Sequence, residues 1–341
     1  MARAMNITYS RSGLGAEMTK LSCLILFFLS LSVAARAQQQ SGPDIRYRSV
    51  PNWLKFPTTL RLGPDPGIAV NSKGHIFLFN RGDSPLLEFG PEGEFIRKIG
   101  YGSWDFVFAH SARVDSKDNI WVVDEGLNQV VELSPEGNVL LVLGNKANIV
   151  DLLAPGSPPS KLARFLNRPT DVAFGPSGDI FVSDGYGNAR VVKYDKDGKF
   201  QTTWGKPGTA LSEFHTPHSI VIDLKGLVYV ADRVNKRMQI FDPDGNFVAK
   251  WDHIGSPEGL TPTALCITQG QDQVIFMTDG NVNRILKLDL NGHVLGAFGK
   301  TGTALGEFSD PHGIACPTAH ELYVGETGNA RVQKLILDDA R

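Results

Sequence analysis

The chain is built from six copies of one repeat, and a fixed period of this kind constrains the fold more than any other feature of a sequence. Each of the first five copies holds four short apolar runs separated by turn signals, such as Lys225-Gly226 and the Asp-Pro-Asp-Gly turn at 242–245. Short apolar runs bounded by turn residues are typical of β-strands, so one repeat predicts one four-stranded blade. The repeats begin at Pro66, Ala109, Pro169, Pro217, Pro262 and Pro311.

The two ends of the chain predict how these blades close into a ring. The sixth repeat stops after three apolar runs, near Ile336, and an unpaired run around Leu60 precedes the first repeat. A propeller closes when strands from both chain ends share a blade, because this removes an exposed sheet edge. We therefore predict an all-β fold, a six-bladed β-propeller closed by an N-terminal strand.

The beginning of the chain has a different character from the repeats. An apolar run covers Leu21 to Val33, and Ala35-Arg36-Ala37 then places small residues at both positions that a signal peptidase reads. The run is too short to be a membrane-spanning helix. We predict a secretory signal peptide over 1–37, with Met18 as an alternative start, and a single propeller domain over 38–341. The mature protein is expected to be secreted or periplasmic, without membrane attachment.

Charge and cysteine content narrow the classes of partner. The formal net charge is −2, and the predicted leader carries four basic residues against one acidic residue, so the remainder is more acidic than the whole. Nucleic acid is not an expected partner, because phosphate binding needs a basic face. Export would permit a disulfide. However, Cys266 and Cys316 lie one place apart in register on adjacent blades, which predicts side chains on opposite faces and two buried core residues without a bridge.

Three histidines occupy one register position in alternate repeats. His110, His218 and His312 begin the first strand of repeats two, four and six. The same position in the other repeats holds Pro66, Thr170 and Thr263. Alternate blades of a six-bladed ring stand about 120° apart, so the three imidazoles should meet on the axis. A role in capping strands does not predict this alternation, whereas three neutral imidazoles with an open fourth position are a catalytic zinc arrangement. We predict a shared Zn²⁺ site.

Loops at the mouth of this axis supply further candidate groups. The second strand of most repeats ends in a residue that usually caps the following turn: Asn80, Asp124, Asp184, Asp232 or Glu326. The next residues vary, which marks positions available for function: Arg81 in the first repeat, Gly185-Tyr186 in the third and Arg233 in the fourth. His215 also lies near this mouth. In contrast, three arginines recur at one place on the third strand and are predicted to be structural: Arg190, Arg237 and Arg331.

These repeats resemble NHL repeats, and three segments resemble the catalytic core of the peptidyl-α-hydroxyglycine α-amidating lyases over nearly the whole chain after the leader. The segments are PTDVAFGPSGDIFVSDGYGNARVVKY from Pro169, TPHSIVID from Thr216 together with VADR from Val230, and NRGD from Asn80. The resemblance implies zinc held by the three axial histidines. It also implies Tyr186 as the catalytic base, Arg81 as a second essential active-site residue, and Arg233 nearby.

Two positions depart from this family. Asp310 stands where the family has a methionine two residues before the third zinc histidine, and Gly313 stands where the family has an aspartate that ligates a structural calcium. Glycine offers no carboxylate to an oxygen-seeking cation. We therefore expect calcium to contribute little to the stability of this chain.

The resemblance implies cleavage of the C–N bond of a peptidyl-α-hydroxyglycine or a related carbinolamide, giving an amide and glyoxylate from a small-molecule or peptide substrate. Two alternatives stay open at this point. A secreted NHL propeller can serve as a non-catalytic binding platform, and a lactonase-type propeller hydrolase sets calcium among Glu, Asp and Asn on its axis. The sequence does not indicate the oligomeric state.

Overall fold

A computed structural model describes the chain over residues 42–64, 67–100, 106–144, 165–256 and 260–338. Within these ranges the chain forms twenty-four strands in six four-stranded antiparallel sheets and contains no helix. The predicted six-bladed β-propeller is confirmed. The described residues therefore include no helix that is long and apolar enough to cross a membrane. The predicted signal peptide, 1–37, lies outside the described residues.

The first strand, β1 (Tyr47–Ser49), belongs to the last blade, and the strands of blades one to three then follow in chain order from the axis outward. Blade one holds β2 (Gly67–Val70), β3 (Ile76–Phe79), β4 (Leu86–Phe89) and β5 (Phe95–Ile99). Blade two holds β6 (Ala109–Val114), β7 (Ile120–Asp124), β8 (Gln129–Leu133) and β9 (Val139–Gly144). Blade three holds β10 (Asp171–Phe174), β11 (Ile180–Asp184), β12 (Arg190–Tyr194) and β13 (Phe200–Trp204).

Blades four to six repeat the same order. Blade four holds β14 (Pro217–Ile222), β15 (Val228–Asp232), β16 (Arg237–Phe241) and β17 (Phe247–Asp252). Blade five holds β18 (Pro262–Ile267), β19 (Ile275–Asp279), β20 (Arg284–Leu288) and β21 (Val294–Phe298). Blade six holds β22 (Pro311–Ala315), β23 (Glu321–Glu326) and β24 (Arg331–Leu337), with β1 as its outermost strand.

Ring closure occurs as predicted, but through a different N-terminal segment. β1 pairs antiparallel with β24, with Tyr47 opposite Leu337, and the inner strand β2 packs against β22 to complete the ring. The run around Leu60 is not this strand. Leu60 is instead a buried residue of an irregular segment that packs on the core of blade one. The chain turns at Thr58 and Thr59, where the Leu60 N–H donates a 2.9 Å hydrogen bond to the carbonyl of Pro57, so this run does not extend as a strand.

Burial follows the distance of each strand from the axis. The second strands of blades one to five, for example β7, are buried at every residue, because neighbouring blades cover both of their faces. The outermost strand β17 alternates between half-buried and exposed residues along its whole length. The core is therefore a ring of six apolar clusters, each formed between adjacent blades, for example the cluster that joins Val123 of blade two to Val172 of blade three.

The prediction of two unbridged cysteines was wrong. Cys266 and Cys316 form a disulfide with Cα atoms 5.9 Å apart, inside the apolar cluster between blades five and six. The prediction placed the side chains on opposite faces of equivalent sheets, and that placement was correct. In a ring of blades, however, one face of each sheet packs against the opposite face of the next sheet. Side chains on these two faces therefore meet, as those of Ala264 and Ile314 do in the same cluster. A disulfide inside the fold is typical of a secreted or luminal protein.

Candidate metal centre

The three histidines converge on the axis of the ring. Each is the second residue of the innermost strand of its blade, namely β6, β14 or β22, and each is buried. Ligand atoms of His110, His218 and His312 all lie within 4.8 Å of one another. Their ring centroids are 4.8, 4.9 and 4.8 Å apart in pairs. The alternation seen in the sequence therefore brings the side chains together as predicted.

A β-bulge directs each of these histidines toward the axis. The cross-strand register shifts between Ala109 and Ser111, between Pro217 and Ser219, and between Pro311 and Gly313. The histidine is the residue without a cross-strand partner in every case. A bulge of this kind bends the strand and re-aims the extra side chain, and bulges are frequent beside active sites.

The intervening blades orient the imidazoles through backbone carbonyls. His110 Nδ1 lies 2.5 Å from the carbonyl oxygen of Thr170, and His218 Nδ1 lies 2.7 Å from that of Thr263. A carbonyl only accepts hydrogen bonds, so Nδ1 carries the proton in both rings and Nε2 carries the lone pair. Thr170 and Thr263 occupy the register position of the histidines in blades three and five, and sequence analysis had assigned them no role.

Burial keeps His218 in the form that binds metals. The pKa of His218 is lowered well below its usual range, first by burial and then by the nearby His110, His312 and Arg233. Neutral imidazole is the ligand form of histidine. Three buried and mutually close imidazoles, two of them with Nε2 available by tautomer, match the three-histidine donor set of catalytic zinc sites. The residues present therefore fit a zinc ion.

Tyr186 reaches this cluster from the mouth. Its hydroxyl lies 2.8 Å from His218 Nε2, and Arg233 Nη1 donates a hydrogen bond of 3.3 Å to the same hydroxyl. Gly185 makes this possible, because a Cβ at that position would lie only 2.1 Å from the carbonyl oxygen of Pro217 on the next blade. The structure thus places two of the predicted mouth residues, Tyr186 and Arg233, in direct contact with each other beside the histidines.

Arg81 lies on another side of the mouth, against blade two. Its Nε donates a 3.0 Å hydrogen bond to the carbonyl of Ala109, and its guanidinium stacks 3.5 Å from the centroid of the Phe108 ring. Its Nη2 is 3.8 Å from a carboxylate oxygen of Glu125. The side chain is 22% exposed.

Sequence analysis missed Glu125 and Arg168. Glu125 is 3% exposed and accepts a 2.9 Å hydrogen bond from Arg168 Nε. The Arg168 guanidinium lies 5.1 Å from the centroid of the Tyr186 ring. Glu125 follows Asp124 as Arg81 follows Asn80, so the register that identified Arg81 also marks Glu125. Arg168 lies three residues before the first strand of blade three, at a position whose variation between repeats is the available signal.

The residues predicted to be structural take that role. Asp232 accepts hydrogen bonds from the backbone N–H of His215 and from Arg237 Nε, at 2.7 Å each. Arg190 pairs with Asp184 and Arg331 with Glu326 in the same way. These pairs tie the start of the third strand to the end of the second. His215 itself is exposed, with its backbone held by Asp232.

Comparisons with known proteins identify both the repeat and possible relatives of the chain. A family model described as NHL repeat matches residues 166–194 and 214–241. Human NHL repeat-containing protein 3 is 29% identical over 320 residues, which covers 86% of this chain and 84% of that protein. A Caenorhabditis elegans protein described as a probable peptidyl-alpha-hydroxyglycine alpha-amidating lyase is 30% identical over 244 residues, 64% of each chain.

Among solved structures, a gluconolactonase from Xanthomonas campestris superposes with a TM-score of 0.57 at 13% identity, covering 82% of this chain and 87% of that one. An identity this low supports the propeller fold alone. The resemblance predicted from the sequence is confirmed by the repeat model and the relatives. The chain is a six-bladed β-propeller with NHL repeats at 166–194 and 214–241, and it is similar both to NHL repeat-containing protein 3 and to a probable amidating lyase.

Proposed function

We propose that this chain is a zinc-dependent lyase that cleaves the C–N bond of a peptidyl-α-hydroxyglycine or a related carbinolamide, releasing an amide and glyoxylate. One observation carries the proposal. Three buried imidazoles converge on the axis, and the Tyr186 hydroxyl lies 2.8 Å from the Nε2 atom of His218. The similarity to a protein described as a probable amidating lyase supports the reaction type.

His110, His218 and His312 would hold the zinc. The carbonyl contacts at Nδ1 of His110 and His218 leave Nε2 as the ligand atom in those two rings. Bound zinc would supply a Lewis acid that lowers the pKa of the substrate hydroxyl.

Tyr186 is the proposed base. Its oxygen takes the proton of the substrate hydroxyl, and the electrons of that O–H bond form the C=O bond of glyoxylate. The C–N bond breaks, its electron pair leaves with the nitrogen, and the nitrogen gains one proton to become the amide. A tyrosine acts as a base near neutral pH only where positive charge favours its anion, and Arg233 Nη1, 3.3 Å from the Tyr186 oxygen, supplies such charge.

Arg81 is proposed to bind the substrate carboxylate. A guanidinium binds a carboxylate through two parallel hydrogen bonds. The Nε of Arg81 donates a hydrogen bond to the carbonyl of Ala109, and this bond fixes the orientation of the guanidinium group. The buried Glu125 lies between Arg81 and Arg168, and it holds the two guanidinium groups close together despite their like charge.

The wider setting is also a proposal. Residues 1–37 would direct export, and 38–341 would form one propeller domain in a secreted or periplasmic protein. The disulfide supports this setting. The partner would be a peptide or another small N-acyl-α-hydroxyglycine, with no role for nucleic acid or for a membrane.

Two other functions compete with this proposal. The similarity to NHL repeat-containing protein 3 supports a binding platform, in which the metal is structural or absent. A lactonase-type hydrolase would need carboxylate and amide ligands around a calcium on the axis, whereas the cluster of possible metal ligands found among the described residues consists of three imidazoles.

The test is release of glyoxylate from α-hydroxyhippuric acid by the purified mature chain, with and without a zinc chelator. We expect release that the chelator abolishes and that added zinc restores. Zinc-loaded protein that releases no glyoxylate from any N-acyl-α-hydroxyglycine would exclude the lyase and favour the binding platform or a hydrolase.

A further inference from the structure

An internal ion pair lies on the axis beneath the three histidines. The carboxylate there belongs to Asp171 of blade three, which has the same register position as Gly313 of blade six, one residue after the position that carries the histidines. Asp171 is 2% exposed. Arg113 of blade two donates to it through Nε, at 2.9 Å from Oδ1, and through Nη2.

The Arg113 side chain crosses the axial channel. Its Nη2 donates a 2.9 Å hydrogen bond to the carbonyl of Leu265 in blade five, which lies opposite blade two in a ring of six. Ser219 of blade four donates a 2.6 Å hydrogen bond to the same Asp171 carboxylate. We call Arg113, Asp171, Ser219 and the Leu265 carbonyl the channel-floor network. Arg113, Asp171 and Ser219 of this network line one small cavity, of about 20 Å³, together with the three histidines.

The network joins the strands that orient the imidazoles. Asp171 directly follows Thr170, whose carbonyl binds His110, and Leu265 lies two residues after Thr263, whose carbonyl binds His218. Ser219 directly follows His218. One guanidinium therefore fixes the carbonyls and one of the imidazoles relative to each other across four blades.

We infer that Arg113 is a built-in axial cation that replaces a second metal ion and positions the histidines above it. The calcium ligand implied by the family resemblance does not fit this chain, because Gly313 has no carboxylate and the carboxylate at the same level, Asp171, is already bound by a guanidinium. The positioning role rests on the proposed zinc site, whereas the role as a cation does not.

The cation role is tested by removing Arg113. Arg113→Ala leaves the Asp171 carboxylate, the Ser219 hydroxyl and the Leu265 carbonyl around a vacated cation site, and oxygen atoms of these kinds bind calcium. We expect millimolar calcium to raise the melting temperature of Arg113→Ala by several degrees and to leave wild type unchanged. Adding Asp171→Asn to the variant should abolish the rise. A calcium-dependent rise in zinc-saturated wild type, or none in Arg113→Ala, would overturn the inference.

The positioning role is tested by zinc affinity, measured in competition with a chromophoric chelator. Changes in groups that orient metal ligands typically cost 10–100-fold in affinity, and we expect a loss of about that size in Arg113→Met. The matched control is Arg331→Met, which removes a comparably buried arginine and its pair with Glu326 away from the axis. The control should lose stability without losing zinc affinity.

Arg113→Met combined with Asp171→Asn serves if the single variant does not fold, because it removes the pair without leaving an unpaired buried charge. Equal zinc affinity in wild type and in these axial variants would refute the positioning role. If wild type binds no zinc, the proposed lyase function fails, and the calcium experiment still decides whether Arg113 acts as the axial cation.

Discussion

At the scale of single residues, the proposed function depends on which atom of each group faces the axis. The carbonyls of Thr170 and Thr263 orient two histidines so that Nε2 is the atom available to a metal, and the Tyr186 hydroxyl lies beside that atom of His218. Arg233 adds a positive charge at the same oxygen. Zinc bound at His218 Nε2 would take the lone pair that the tyrosine hydroxyl contacts, which would leave the hydroxyl beside the metal, so this hydroxyl is the group to remove.

Tyr186→Phe should abolish turnover while zinc content and fold stay intact. Loss of a general base typically lowers the rate by 10²–10⁴-fold, and the change removes a single oxygen. The measurements are glyoxylate release, zinc content and circular dichroism. Tyr194→Phe, a buried tyrosine of the same blade, is the control for losing a hydroxyl at a site remote from the mouth. A Tyr186→Phe enzyme within about tenfold of wild type would point to His215 or a zinc-bound hydroxide as the base.

At the scale of elements, the candidate site is formed by β-bulges in the innermost strands, which carry the histidines, and by the loops at the mouth of the axis. Counting along the repeats predicted the position of each histidine and of Arg81, Tyr186 and Arg233. It did not predict the bulges at the histidines, because an extra residue in a strand depends on its cross-strand partner. Counting also missed Asp279, the equivalent of Asp232 in blade five, since a longer turn there shifts the spacing.

Gly185→Ala tests the loop that carries Tyr186. The new Cβ would lie 2.1 Å from the Pro217 carbonyl oxygen, so the loop must move away from blade four. We expect activity to fall by about 10²-fold, the effect of misplacing a reacting group by roughly 1 Å, with zinc retained. Gly175→Ala at the other end of the same blade, where the nearest atom is a ring carbon 3.3 Å away, should keep activity near wild type. Equal activity in both variants would contradict the role of the close approach.

At the scale of the whole molecule, the sequence predicted the ring but not all of its closure. The repeat period and the turn residues predicted six blades and a last blade shared by both chain ends, because both features are local patterns in the sequence. The identity of the closing strand, Tyr47–Ser49, depends on pairing with β24, which is almost three hundred residues away in sequence, and no local pattern marks it. The disulfide was missed for a related reason, since face alternation was considered within each blade and not across the contact between blades.

Removing the disulfide should destabilise the ring. Cys266 and Cys316 are 50 residues apart and connect blade five to the blade that closes the propeller. Cys266→Ala with Cys316→Ala is expected to lower the free energy of unfolding by about 2–4 kcal/mol, the usual contribution of a disulfide. Denaturant unfolding of wild type with and without reductant provides the control, because reduction should give a similar loss. Identical unfolding of the oxidised and reduced proteins would contradict the prediction.

The most direct test of the central claim is the zinc content of the purified mature chain after equilibration with zinc and removal of unbound metal. The account predicts about one zinc per chain in wild type and in His215→Ala, whose exposed histidine lies three residues before the site. It predicts almost none in His218→Ala, because two remaining imidazoles bind zinc far more weakly than three. Wild-type protein without zinc, or His218→Ala with a full complement, would contradict the claim that the three axial histidines hold a catalytic metal.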